Sequence, residues 1–168
     1  EILERACSEK KRIVLPEGED DRTLKAAVWA EERKIADITL LGDKDLIMKK
    51  AVALGLKLDS GVDIINPGES QKFEDYVNTY YELRKHKHYT MDNAQDRMQD
   101  TIYYGTMMIY KGEADGLVSG AVNTTQHTIR PAFEIIKTKP DINNASSIFL
   151  MCLKDRVLVY GDCAIIPI

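Results

Sequence analysis

The chain has 168 residues, 44% of them hydrophobic and 30% charged, a balance that supports one sizeable core plus the start of a second domain and excludes wholesale disorder. A formal net charge of −4 offers no field to draw nucleic acid or an acidic membrane surface, so an anionic ligand has to be met by a few local cations. No apolar run approaches the roughly 18 residues that span a bilayer, there is no signal-peptide pattern, and Cys7, Cys152 and Cys163 include no C-x-x-C pair, which fits a reducing cytoplasm.

Lys11 to Leu15 read as a first strand, with Ile13, Val14 and Leu15 as a continuous apolar run suited to a parallel sheet covered on both faces. Pro16 ends it and opens an acidic loop, Glu17 to Asp21. Asp21 is expected to cap a helix with the stripe Leu24, Ala27, Val28 and Ala30. Ile35 to Leu41 make the next strand. Asp43 opens a helix through Leu46, Ile47, Lys50 and Leu54, closed by Gly55. Val62 to Ile65 are a short third strand. The alternation predicts an α/β fold with a parallel sheet and flanking helices.

A long helix starts at Phe73, with Val77, Tyr80, Tyr81 and Arg84 on one stripe, and a guanidinium on that stripe needs an anion, whether an acidic neighbour or a ligand. Asp92 is expected to cap a further helix carrying Ala94, Met98, Ile102, Gly105 and Ile109. Ala114 to Val118 form a strand, and Ile129, Phe133 and Ile136 the inner face of the helix that follows. The pattern then changes: Ser147 to Leu153 and Val157 to Ala164 read as an antiparallel hairpin. The expected domains are 1–144, incomplete without later chain, and 145–168, the beginning of a second. The start at Glu1 and the apolar end Ile165 to Ile168 suggest a trimmed piece of a longer polypeptide with apolar surface left uncovered at that end.

The chemistry concentrates in residues 114–131. Ser119, Gly120 and Ala121 let the chain turn sharply and bring N–H groups close to a ligand, Thr124, Thr125 and Thr128 can each cap the following helix, and Arg130 adds a forked cation. Phosphate binding and an ordinary capped strand-to-helix turn both fit this pattern. Arg84 and Arg130 are the candidate anion-binding cations, with a structural salt bridge as the competing reading. His86, His88 and His127 lack metal-ligand spacing, so no metal site is expected. The acidic loop reads as solvated, Cys163 as a small buried hydrophobe, and the group Tyr76, Tyr80, Tyr81 and Tyr89 as packing. Neither G-x-G-x-x-G nor G-x-x-x-x-G-K-[ST] occurs, so neither a Rossmann cofactor site nor a P-loop is supported.

Six segments in order, Ile13 to Arg22, Tyr81 to Lys85, Ala114 to Ala121, Thr128 to Ala132, Ile135 to Pro140 and Gly161 to Ile165, resemble the phosphate acetyl/butyryl transferases. The resemblance covers the whole chain but only about the N-terminal half of the family's length. It implies a two-domain fold like that of isocitrate dehydrogenase and a cytoplasmic, homodimeric acyltransferase. The implied reaction moves an acetyl group between acetyl phosphate and coenzyme A and releases phosphate. Coenzyme A is then a substrate, with no tightly bound cofactor and no metal. Carried over by position, Ser119, Gly120 and Thr128 help hold the phosphoryl group, while Arg130 and Arg84 bind anionic substrates, including phosphates of coenzyme A. The base that removes the thiol proton is an aspartate of the family's later half, beyond residue 168, so the catalytic residue is unknown here and residues 1–168 alone are expected not to turn over. Butyryl transfer and a non-catalytic regulatory or dimerisation module are the alternatives. An oxidoreductase of the same fold has only fold analogy behind it.

Overall fold

A computed structural model describes residues 2–58, 61–142 and 145–161 of the chain. A short exposed helix α1 (Ile2–Ser8) precedes strand β1 (Lys11–Leu15), helix α2 (Asp21–Glu32), strand β2 (Ala36–Leu41), helix α3 (Lys44–Ala53) and strand β3 (Val62–Ile65). Helices α4 (Phe73–Arg84), α5 (Met91–Gln99) and α6 (Thr101–Tyr110) follow, then strand β4 (Gly116–Leu117) and helix α7 (Thr125–Pro131). All pairings among these four strands are parallel, in the order β3-β2-β1-β4. The expected parallel α/β sheet with flanking helices is therefore present.

Alternation along the strands divides the core between the two faces of the sheet. Leu15, Ile38 and Leu40 pack with Leu24 and Ala27 of α2 and Ile47 of α3. Val14 and Leu41 point the other way and pack with Tyr76 and Tyr80 of α4, Met98 of α5, and Tyr103 and Met107 of α6. Tyr81 and Tyr89 pack against the same cluster, so the tyrosine group is packing, as expected. Gly105 permits the close approach of α6 to the sheet: a Cβ there would stand 2.8 Å from Leu117 Cδ1 and 3.0 Å from Val14 Cγ1. None of the described helices is long and apolar enough to cross a membrane.

Several boundaries differ from the sequence expectation, each for a local reason. Asp20, not Asp21, caps α2, because its carboxylate accepts from Arg22 N. The helix expected from Asp92 is two helices. Thr90 caps α5 in a reciprocal box with Asn93, and Asp100 turns the chain out of helical geometry and caps α6 by accepting from Ile102 N and Tyr103 N. On α3 the buried positions are Ile47 and Ala51, while Leu46 is exposed. β4 keeps only two residues of the expected strand, and Val118 is exposed.

After α7 the chain runs as a π-helix over Ala132–Ile136. Pro131 has no N–H to give to the carbonyl one turn back, and the wider turn shifts the facing positions. The buried set becomes Pro131, Glu134 and Ile135, whereas Phe133 and Ile136, expected inside, are exposed. This shift brings a carboxylate inward.

The chain divides into compact units after Ile136, ahead of the boundary expected at 144/145. In the second unit, β5 (Ile148–Cys152) and β6 (Val157–Gly161) form the expected antiparallel hairpin, with exposed apolar residues such as Phe149 and Val159. Cys163 and the stretch 165–168 lie outside the described residues.

Candidate functional site

The strand order reverses beside β1: β2 and β3 extend the sheet to one side, and β4 joins on the other. In open α/β sheets the crevice outside the carboxyl ends of strands flanking such a reversal is where ligands bind. Here β1 runs into Pro16 and Glu17, and β4 into Val118, Ser119 and Gly120. A cavity of about 750 Å³ opens at this end, lined among others by Glu17, Arg22, Gly42, Lys50 and Asn123.

The acidic loop is not the solvated segment expected from composition, because three of its carboxylates have structural partners. Glu17 is buried, and its carboxylate accepts from the backbone N–H groups of Gly120 (3.1 Å), Ala121 (2.8 Å), Val122 (2.8 Å) and Asn123 (2.7 Å), and from Asn123 Nδ2. Burial pushes the Glu17 carboxyl up, but the bonds from Asn123, Val122 and Ala121 outweigh it and hold the group at about 2. Glu19 accepts from Asp43 N, and Asp20 both caps α2 and pairs with Arg22. Arg22 also donates to Ala121 O, so the acidic loop grips the hydroxyl-rich turn from both its N–H and its C=O sides.

That turn is thus shaped by the protein itself. Gly120 has φ +122°, a conformation that a side chain would resist, and it lets the chain reverse directly after Ser119. Of the three threonines, Thr124 is the one that caps α7, accepting from His127 N. Thr128, one turn further on, places its hydroxyl 3.1 Å from Thr124 O and 3.3 Å from Ser119 Oγ. Two hydroxyls therefore meet beside the turn.

The two arginines are brought together elsewhere. Arg130 leaves α7 two residues after Thr128, about 200° around a helix axis from it. Its Nε donates to Glu134 Oε1 at 2.9 Å. Arg84, at the end of α4, sets Nη2 3.7 Å from the same oxygen, and its guanidinium lies over the Tyr89 ring at 5.3 Å. Glu134 is 7% exposed, and its other oxygen accepts from Tyr80 (2.7 Å) and Tyr103 (3.0 Å). Burial pushes its carboxyl up, but the bonds from Tyr80, Arg130 and Tyr103 and the charge of Arg84 outweigh it, so Glu134 is held below its ordinary value. Arg84 Nε is buried with no hydrogen-bond partner among the described residues.

Beside Arg130 lies a cavity of about 250 Å³, lined by Arg97, Tyr103, Thr124, Gln126, His127 and Arg130. Arg97 stacks over the Tyr103 ring at 5.2 Å. His127, expected on the surface, is half-buried with Nε2 2.8 Å from Asp100 Oδ2. His86 and His88 are exposed, and no group of three His, Cys, Asp or Glu side chains among the described residues could hold a metal ion.

The structure therefore sorts the sequence-predicted residues into two places: Ser119, Gly120 and Thr128 at the turn, and Arg84 and Arg130 at a buried carboxylate. Sequence reasoning missed Glu134, Arg97 and the role of Glu17. Glu134 had a readable signal in its i, i+4 spacing from Arg130. Glu17 had none, since its donors lie 103 to 106 residues away.

Comparison with known proteins supplies the lineage. The family profile described as phosphate acetyl/butaryl transferase matches residues 1–168. A phosphate acetyltransferase of Nitratidesulfovibrio vulgaris is 55% identical over 166 residues, covering 99% of this chain and 23% of that protein. One from Corynebacterium glutamicum is 49% identical over 99% of this chain and 50% of its own length. Among solved structures, the EutD phosphotransacetylase from Staphylococcus aureus superposes with a TM-score of 0.87 at 40% identity, over 99% of this chain and 50% of that one. A phosphotransacetylase from Streptococcus pyogenes gives 0.88 at 35% identity, over 98% and 50%. The chain thus spans half the length, or less, of these relatives. With its profile matched end to end and its fold shared, this chain belongs to the phosphate acetyl/butaryl transferase family.

Proposed function

We propose that the protein carrying this chain is a phosphate acetyltransferase, moving an acetyl group reversibly between acetyl phosphate and coenzyme A with release of phosphate. The observation that carries the reading is the arrangement of donors: a hydroxyl pair on a pinned turn at the carboxyl end of β4, and two guanidiniums gathered at one buried carboxylate. The substrates carry phosphates at separate places, and the chain offers two separate sets of donors. Relatives named phosphate acetyltransferase over 99% of the chain point to the same chemistry.

In this reading Ser119 and Thr128 meet the phosphoryl group through their hydroxyls. Gly120 contributes its conformation, because its N–H and the next three are held by Glu17. Arg130 and Arg84 bind phosphates of coenzyme A. Arg130 uses only Nε on Glu134, so the forked end of its guanidinium is left for two oxygens. The Nε of Arg84, buried with no hydrogen-bond partner among the described residues, is a further donor in want of an acceptor.

The thiol of coenzyme A gives its proton to a base, the thiolate sulfur bonds to the acetyl carbonyl carbon, and the carbon–oxygen bond to phosphate breaks. Negative charge grows on the carbonyl oxygen and then on the departing phosphate, so fixed donors that bind this charge lower the barrier. Residues 1–168 supply binding and orientation in this scheme, and none of them is assigned the role of base. The same proposal makes the enzyme a cytoplasmic homodimer, with coenzyme A as a substrate and no tightly bound cofactor or metal.

Acetyl phosphate and butyryl phosphate, compared as substrates of the complete gene product, test the acyl assignment. Higher kcat/KM with acetyl phosphate supports it. A reversal is within reach of a pocket change, since a methylene is worth about 1 to 3 kcal/mol, and would assign the protein to butyryl transfer.

A further inference from the structure

Glu134 joins three elements that sequence separates. Its Oε1 meets Arg130 of α7 and Arg84 of α4, and its Oε2 meets Tyr80 of α4 and Tyr103 of α6. It is the most buried of the charged groups at either candidate subsite. A buried carboxylate held by three hydrogen bonds and facing a second guanidinium at 3.7 Å is confined to a narrow range of geometry, and a group bonded to it inherits that geometry. The contact to Arg130 uses Nε, and Arg130 also lines the 250 Å³ cavity with Arg97 and His127.

We infer that Glu134 is a positioning residue for anion binding: it fixes the guanidiniums of Arg130 and Arg84 at a set separation so that both receive a phosphate group of coenzyme A without first having to be ordered. The inference rests on the acetyltransferase reading for the identity of the ligand. Its logic is that of preorganisation. A long, half-exposed arginine loses much rotamer freedom when it binds a ligand, and an anchor that has already removed that freedom leaves more of the interaction for the ligand. Arg130 is such a side chain, about half exposed, yet held at its Nε.

The alternative role for Glu134 is simple charge offset, and the two roles predict opposite signs. If Glu134 only neutralises its neighbours, removing its charge leaves two uncompensated guanidiniums and anions bind more tightly. If it positions them, removal sets them loose, or lets them repel each other apart, and anions bind more weakly.

The experiment is Glu134→Gln in the complete gene product. It reads KM for coenzyme A, KM for acetyl phosphate, kcat, and equilibrium binding of coenzyme A by calorimetry, with thermal unfolding as the check on folding. Positioning predicts that KM and Kd for coenzyme A rise about tenfold or more, as expected when one partner of a buried charge pair is removed, while KM for acetyl phosphate moves far less. It also predicts that Glu134→Gln weakens coenzyme A binding less in an Arg130→Ala background than in the wild type, because part of the effect runs through that arginine and only the part through Arg84 remains. A folded Glu134→Gln protein whose affinity for coenzyme A is unchanged or tighter overturns the inference. Should Glu134→Gln fail to fold, Glu134→Asp keeps the charge and withdraws the carboxylate by one methylene: positioning still predicts weaker coenzyme A binding, and wild-type affinity overturns it. A wild-type protein that binds coenzyme A but makes no acetyl-CoA overturns the activity reading alone. One that does not bind coenzyme A overturns both.

Discussion

The carboxylate of Glu17, just past the end of β1, accepts from the N–H of Gly120, 103 residues further along the chain, at 3.1 Å. With Ala121, Val122 and Asn123 donating to the same side chain, an acidic residue at the sheet's switch point sets the shape of the turn on which Ser119 sits. The N–H groups of Gly120 and Ala121, which a sequence reading offers to phosphate, are consumed inside the protein, and what stands beside the turn is the hydroxyl pair of Ser119 and Thr128.

Glu17→Gln should therefore damage the site more than a neutral surface change would. The amide nitrogen of glutamine cannot accept, so at least two of the backbone donors lose their partner, and hydrogen bonds to charged groups are worth about 1.5 to 3 kcal/mol each. We expect a clear loss of stability in urea unfolding and a fall in kcat/KM for acetyl phosphate larger than that for Glu19→Gln. Equal effects of the two substitutions would show that the turn does not depend on Glu17.

The same carboxylate gives stability a defined acid dependence. Its folded-state pKa is depressed from the ordinary 4.5 to about 2, so its contribution is fully present above the ordinary value and is lost as pH falls through the folded one. Wild-type stability should decline through the window from about pH 4.5 to about pH 2, and Glu17→Gln should flatten that part of the curve. Identical slopes for the two proteins would remove Glu17 from the account.

Asp100 serves two structures at once, capping α6 through Ile102 N and Tyr103 N and meeting His127 at 2.8 Å. Asp100→Ala should cost about 1 to 2 kcal/mol for the lost cap, measured by chemical unfolding. It should also loosen α7, which carries both Thr128 and Arg130, seen as faster amide exchange over residues 125–131.

Gly105 sits where α6 crosses the sheet, with Leu117 Cδ1 and Val14 Cγ1 inside the space a Cβ would take. Gly105→Val should destabilise by about 1 to 3 kcal/mol or more through overpacking. It should shift β4 with it, so activity is expected to fall even at temperatures where the protein remains folded.

The parallel sheet was legible because its signals are local: apolar runs at Ile13 to Leu15 and Ile35 to Leu41, turn residues after each, and a carboxylate cap at Asp43. The hydroxyl turn and the two arginines were legible as residue types. What they do to one another was not, because Glu17 reaches its donors across more than a hundred residues and the pairing depends on β4 lying next to β1. The inner face after α7 was misread for a different reason. A regular 3.6-residue period places Phe133 and Ile136 inward, and the π-helix behind Pro131 turns Glu134 and Ile135 in instead. That one departure from regular helix is what delivers a carboxylate to Arg84, Arg130, Tyr80 and Tyr103.

The most direct test of the central claim is coenzyme A-dependent formation of acetyl-CoA from acetyl phosphate by the complete gene product, with Arg130→Ala measured beside it. The account predicts robust activity in the wild type and a loss of about a hundredfold or more in kcat/KM for coenzyme A in the variant, as when one partner of a hydrogen-bonded charge pair with the substrate is removed. A folded wild-type protein that forms no acetyl-CoA, or a variant as active as the wild type, would contradict it.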